Sequence, residues 1–378
     1  MISESTILSL LGAGVHTYPC AKGRMGYYTE NAGKETFDGV ISALRAHGAK
    51  EVFARRAGQT EFALYEKDSR YARVSYIEKR GIVRVITTEE ETLFTGYGDL
   101  SADGDVEMML MNMDYAHRGH DNGEGLVIKL ADGSFLVYDG GYPTEMPVLV
   151  DYLEANTPAG RKPVIATWFL THSHGDHYWG FESLLKNEEL LGRVEIKNVM
   201  LAIPTAEQWS AGRLPEPFFT TKIEPMLSER GIPMIRPFAG QVLHYAGVDM
   251  EIMMTVEDLL PVRPWDDNTA SSVTFLKFKK AERTVLVPGD SASNGLDMLT
   301  DMYGSYLKCD VLQNPHHGHS GLTKTLCDLT DPEVVLFCTS QAHYLERIST
   351  DYAWNYYLMN RLHVKRACFS DHKYQRIV

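Results

Sequence analysis

Along residues 36 to 47, TFDGVISALRAH, apolar side chains recur every three to four positions and the run ends at a glycine. That pattern predicts an amphipathic helix. Three short runs follow, EFALYE, ARVSYIE and GIVRVITT, the last two separated by Lys79-Arg80-Gly81. Alternating apolar positions broken by a basic, glycine-containing turn predict an antiparallel meander. Residues 1–105 therefore read as a small α+β unit without evident chemistry, and the polar, glycine-rich TGYGDLSADGD marks its boundary.

From residue 106 to 378 the texture changes. Apolar strand-like runs alternate with charged or glycine-rich turns: GLVIKLADGSFLVYDGG, PVIATWFLTHSHGDH, SSVTFLKFKKAERTVLVPGD, CDVLQNPHHGHSG and PEVVLFCTS. Run after run ends on Asp or His. Strands that repeatedly deliver polar groups at their carboxyl ends predict an α/β (α+β) domain whose loops converge on one site. YWGFESLLKNEELL is expected as the helix after the second of these strands, and YAWNYYLMN as a helix packed on a sheet.

Composition narrows the classes. With 378 residues and 44% apolar content, the chain can bury a sizeable core. No run approaches the ~20 apolar residues of a membrane span. The early ILSLLGAGV is short, lacks a basic flank and reads as ordinary structure rather than an export signal. Five scattered cysteines without Cys-x-x-Cys spacing point to a reducing, cytoplasmic setting. A formal net charge of −13 disfavours nucleic acid and anionic membranes as partners.

The chemistry gathers in WFLTHSHGDHYWG. His172, His174, Asp176 and His177 lie on one tight connection between a buried strand and a helix. His172 and His174, two apart in extended chain, face the same side and can share a cation, while Asp176 and His177 face a neighbouring position. Imidazole nitrogens and carboxylate oxygens are zinc ligands, and a lone histidine would be unremarkable where this four-ligand pattern is specific.

The motif resembles the signature of the metallo-β-lactamase superfamily, and other segments match that family in order. Asp139, closing SFLVYDGG, matches an aspartate that orients ligands and water; Asp290, in TVLVPGD, matches one that bridges two metals; His317, in NPHHGHSG, matches the late histidine. The resemblance covers roughly residues 106–378 and implies an αββα four-layer sandwich with a small N-terminal α+β extension. A Gly-His-Thr-like segment is missing between His177 and Asp290, where His244 is the sole histidine; this speaks against lactamase, glyoxalase and lactonase activities. The order DDNTASSVTFLKF, TVLVPGD, DVLQNPHHGHSG is similar to the soluble hydrolase domain of ComEC-type proteins and to phosphorylcholine esterases. The closing segments PEVVLFCTSQAHYLERIS and LMNRLHVKRACFSDHKYQRIV match that branch's strand, helix and hairpin. The branch's glycine-rich opening has only a loose counterpart in MNMDYAHRGHDNGEGLVIKL.

The resemblance implies two zinc ions per chain, with manganese or iron as other occupants. His172, His174 and Asp290 would hold one; Asp176, His177, Asp290 and His317 the other. Two such cations, about 3.5 to 4 Å apart, make hydroxide available near neutral pH. The expected activity is a metallohydrolase cleaving a phosphodiester or phosphorylated small molecule, with Asp290, His316 and Asp139 as catalytic candidates. His316 would bind the phosphoryl group or protonate the leaving oxygen. His343 is a candidate for the rim, Asn268 reads as a turn former and Trp179 as a packing residue. Cleavage of a carboxylic ester, lactone or amide on the same fold is the alternative, and a non-catalytic metal-binding sensor is another. Substrate and oligomeric state are not encoded in any motif.

Overall fold

The structure, a computed structural model, describes residues 2–20, 24–90, 93–115, 122–204, 208, 218–259 and 266–378. Two compact units emerge: Met1–Phe94 with Pro204–Ala211 and Met298–Leu307, and Thr95–Ile203 with Gly212–Asp297 and Lys308–Val378.

In the first unit, helix α1 (Glu4–Leu11) is capped by Ser3, whose Oγ accepts from the Thr6 N–H. Helix α2 spans Lys34–Ala46, where the apolar spacing predicts it. Its stripe of Phe37, Val40, Ile41 and Leu44 is buried with Ile7 and Leu11 against Tyr65, Val74, Val83 and Val85 of the sheet. That sheet contains β1 (His16–Pro19), β2 (Met25–Thr29), β3 (Lys50–Ala57), β4 (Thr60–Lys67), β5 (Arg70–Ile77) and β6 (Ile82–Glu90) in the order β1-β2-β6-β5-β4-β3. All its pairings are antiparallel, and the expected meander is its β4-β5-β6 portion.

The second unit holds two sheets. One comprises β8 (Glu107–Leu110), β9 (Gly125–Lys129), β10 (Phe135–Asp139), β11 (Val164–Leu170), β12 (Glu195–Ile196), β13 (Val199–Leu201), β14 (Met234–Ile235) and β22 (Gln375–Arg376). The other contains β7 (Gly96–Tyr97), β15 (Val242–Tyr245), β16 (Val248–Met254), β17 (Val273–Phe278), β18 (Arg283–Val287), β19 (Val311–Gln313), β20 (Val334–Phe337) and β21 (Arg366–Phe369). They face each other through buried hydroxyl pairs: Tyr138 Oη to Thr274 Oγ1 at 3.0 Å and Thr167 Oγ1 to Tyr245 Oη at 2.8 Å. Side chains alternate across a strand, so Trp168, between Thr167 and Phe169, points outward and packs on Phe181 with ring centroids 4.8 Å apart. Phe181 belongs to a covering helix. The layering is the αββα sandwich of the metallo-β-lactamase fold.

Two parallel stretches place the polar turns together. Strands β10 and β11 run parallel, as do β18, β19 and β20, so the residues after each emerge at the same sheet edge. Strand β9 runs antiparallel to β10 and pairs Gly125 with Asp139, which brings its amino end to that edge too. After β10 comes helix α3 (Met146–Ala155), and after β11 comes α4 (Gly175–Lys186). Helix α4 crosses the Gly140-Gly141 turn so closely that a Cβ at Gly180 would sit 2.4 Å from the Gly140 carbonyl oxygen. The Gly180 N–H donates to the Gly141 carbonyl at 2.8 Å.

Three expectations need correction. The helix expected over 178–191 breaks at Asn187, whose side chain accepts from the Leu190 N–H and starts a separate α5 (Glu188–Gly192). The C-terminal hairpin does not form: β21 joins β20 in parallel in one sheet, and β22 pairs with β8 in the other. Helix α6 (Ala353–Arg361) occupies YAWNYYLMN but leaves Trp354 and Tyr356 exposed while burying Asn355 and Leu358. The apolar count suggested a packed stripe; a buried amide takes its place because it pairs with one backbone carbonyl and one side-chain amide of the turn described below.

Candidate metal centre

Three of the histidines are aimed by what their Nδ1 atoms touch. His177 Nδ1 lies 2.9 Å from Asp139 Oδ2, His317 Nδ1 lies 2.9 Å from the Cys338 carbonyl, and His172 Nδ1 lies 3.1 Å from Thr171 Oγ1. With Nδ1 occupied in this way, Nε2 is the atom left to face the interior. Asp139 is itself fully buried and also accepts from the Thr171 N–H and Thr171 Oγ1, both at 2.8 Å.

The side chains converge in two groups that share one carboxylate. Glu124, His177, Asp290 and His317 bring ligand atoms within 4.8 Å of one another, and so do His172, His174 and Asp290. Asp290 Oδ2 is 3.2 Å from His317 Nε2, 3.3 Å from His177 Nε2 and 3.8 Å from His172 Nε2. Asp176 joins from the first turn of α4, its Oδ2 3.0 Å from His317 Nε2. The structure thus gathers all six sequence-proposed metal ligands, with Asp139 behind them.

Backbone geometry marks the same spot. Asp139, His316 and His317 all have positive φ, the last two consecutively, a conformation that non-glycine residues avoid and that clusters at functional sites. Asn355 holds the strained turn: its Nδ2 donates to the Gly318 carbonyl at 2.6 Å and its Oδ1 accepts from Asn314 Nδ2 at 2.7 Å.

The residues fit a cation. His172 Nε2, Asp290 Oδ1 and Glu124 Oε1 are buried and have no hydrogen-bond partner. Unpaired buried polar atoms cost about 1 to 3 kcal/mol each, and three of them on residues of two ligand groups that share Asp290 suit divalent cations. The electrostatics of the buried groups point the same way. Burial would keep His317 neutral, yet Asp290 and Asp176 pull its pKa up to about 10. Burial likewise opposes charge on His177, and Asp290, Asp139 and Asp176 pull it well above the usual imidazole range. Burial and the neighbouring Asp139 push Glu124 up to about 8, whereas burial holds His172 well below the ordinary value.

His316 sits beside the cluster, 4.0 Å from Asp290 Oδ2, with its Nε2 accepting from Asn268 Nδ2 at 3.2 Å and its Nδ1 2.7 Å from Ser320 Oγ. Asn268 therefore does more than form a turn. Beyond His316 lies His319, whose Nε2 is 3.3 Å from His343 Nε2 and 3.2 Å from Asn122 Oδ1. Trp179 is 43% exposed, with its ring edge toward Tyr142; it is a surface aromatic rather than a packed one. His244 stands apart on β15, paired with Asp249 at 2.8 Å.

Two residues escaped the sequence reading. Glu124 precedes β9, and residues 116–121 of the loose MNMDYAHRGHDNGEG segment lie outside the described residues. The available signal was an acidic residue just ahead of a strand that is apolar up to its last residue, Lys129. Asp267 accepts from Ser173 Oγ at 2.7 Å and lies 3.4 Å from His174 Nε2; in sequence it is one of two adjacent aspartates with nothing to single it out.

Residues 118–324 match the family model described as the Metallo-beta-lactamase superfamily. This chain belongs to that superfamily. Among solved structures it is similar to unliganded yeast PDE1, with a TM-score of 0.45 and 12% identity over 72% of this chain and 99% of that one. It is also similar to Zn(2+)-bound PqqB from Methylobacterium extorquens, with a TM-score of 0.40 and 9% identity over 72% of this chain and 99% of that one. The flavodiiron protein from Giardia intestinalis aligns with a TM-score of 0.30 and 12% identity over 58% of this chain and 49% of that one. No curated protein matches the chain. No helix among the described residues is long and apolar enough to cross a membrane.

Proposed function

We propose that the chain is a dinuclear metallohydrolase, zinc being the default metal, that cleaves a phosphodiester or a phosphorylated small molecule, as the resemblance to ComEC-type and phosphorylcholine-esterase domains implies. The observation that carries the reading is the pair of ligand groups sharing Asp290. His172, His174 and Asp290 would hold one cation; Asp176, His177, Asp290 and His317 would hold the other. Charge supports two ions rather than one: Asp139, Asp176, Asp290 and Glu124 bring four carboxylates into a largely buried space, and two divalent cations balance them. When bound, such a pair supplies Lewis acidity and a nucleophile usable at neutral pH.

The chain's own groups do the rest. Asp139 fixes the His177 ring so that Nε2 stays turned inward. His316 has its Nε2 4.0 Å from Asp290 Oδ2 and is held by Asn268 and Ser320, which suits a group that orients a substrate oxygen or hands a proton to the leaving group. Burial keeps the His316 pKa below the ordinary value.

The test is metal content by elemental analysis, together with hydrolysis of bis(p-nitrophenyl) phosphate, on wild type and Asp290→Ala. Two equivalents of metal and turnover that disappears in the variant support the proposal. Bound metal with turnover of carboxylic esters or lactones, but not of phosphodiesters, replaces the substrate class. Metal without any turnover makes the protein a sensor, and no bound metal after reconstitution sinks the reading.

A further inference from the structure

Glu124 is the one member of the clusters that the superfamily resemblance does not assign. Its side chain is fully buried at the amino end of β9, and its Oε2 accepts from Gln313 Nε2 at 3.0 Å. Oε1 has no partner. The carboxylate stands within 4.8 Å of the inward-facing atoms of His177, Asp290 and His317. The same Gln313 amide also donates to the Asn314 carbonyl at 2.9 Å, which fixes the group that tethers Oε2. One oxygen is thus tethered to Gln313, the other has no hydrogen-bond partner, and the carboxylate lies at the cluster.

We propose that Glu124 is a fifth protein ligand of the second cation position. That position then combines three carboxylates (Glu124, Asp176, Asp290) with two imidazoles (His177, His317), while the first has two imidazoles and the shared Asp290. A carboxylate-rich, higher-coordinate position favours harder ions such as manganese relative to its neighbour, whose ligands are nitrogen-dominated. The two positions are therefore unequal by construction: the first is open, with few protein ligands, and the second is closed around its ion. The inference rests on the proposal that both positions hold cations.

The experiment is stepwise reconstitution of metal-free full-length chain with Co²⁺ and, separately, Mn²⁺, comparing wild type, Glu124→Gln and Glu124→Asp. Stoichiometry is read by elemental analysis, affinity by chelator competition, coordination by the cobalt d–d spectrum and folding by circular dichroism. In wild type one of two bound cobalt ions should show the weak bands of five- or six-coordination. In Glu124→Gln one equivalent should bind at least tenfold more weakly and those bands should change, with the other equivalent kept. Glu124→Asp guards against misfolding of the amide variant: it keeps the charge but withdraws the oxygen by one methylene, so a ligand role predicts weakening here as well. Two equivalents with unchanged affinity and spectrum in either folded variant would overturn the assignment. Failure of wild type to bind two ions would instead overturn the dinuclear reading on which it rests.

Discussion

His177 Nδ1 and Asp139 Oδ2 are 2.9 Å apart, with both side chains fully buried. The carboxylate is held by three groups at once: the His177 ring, the Thr171 N–H and the Thr171 hydroxyl. It therefore acts as a fixed post against which the imidazole is set. Asp139 also occupies a positive-φ position at the end of β10, and its carbonyl accepts from Trp168 Nε1 at 2.6 Å, so backbone and side chain are both committed to this task.

Replacing Asp139 by Asn keeps the shape and one acceptor but removes the charge that favours Nδ1–H on His177. Metal affinity should fall about 10- to 100-fold, the usual cost of losing a partner behind a metal-ligating histidine. Chelator competition on the purified variant checks this. Unchanged affinity would show that Asp139 does not orient the ligand.

His316 should separate from the ligands in its effects. It approaches Asp290 only to 4.0 Å, and both of its nitrogens have other partners. His316→Ala is expected to lower kcat about 100-fold or more, the scale of a lost acid or positioning group, while metal content stays at the wild-type level. Loss of a metal equivalent in this variant would make His316 a ligand and contradict the proposal.

Gly180 has no room for a side chain, because the nearest atom to an added Cβ is the backbone oxygen of Gly140 at 2.4 Å. Backbone cannot rotate away as a side-chain tip can. Gly180→Ala should therefore destabilise the chain by about 1 to 3 kcal/mol or more and displace the turn that follows Asp139. Gly192→Ala, where an added Cβ meets nothing within 4 Å, is the matched control. Comparable melting temperatures for the two variants would refute the packing argument.

Much of this was readable in advance, and for a definable reason. A buried strand followed by His-x-His-x-Asp-His states both its secondary structure and its chemistry within a dozen residues, and the runs closing on Asp139, Asp290 and His317 repeat the arrangement. Helix α2 and the β4-β5-β6 meander were legible because each is a local periodicity. These signals need no knowledge of distant segments.

What only the tertiary structure decided lies between segments far apart in the chain. Glu124 becomes part of the cluster because β9 pairs antiparallel with β10 and delivers its amino end to the edge where β11, β18 and β19 deliver their carboxyl ends. Asp267 gains meaning from Ser173 and His174, 94 and 93 positions earlier, and Asn355 gains it from carbonyl and amide groups of the His317 turn. The same holds for β21 and β22, which enter different sheets although only a short turn separates them. By itself the sequence determined the class of fold and the kinds of side chain that cluster at its strand ends, since hydrophobic period and residue type are properties of short stretches. Sheet order and strand direction then chose which further carboxylates and amides meet those ligands, because a buried polar group is placed by whichever partner satisfies it, however distant in sequence.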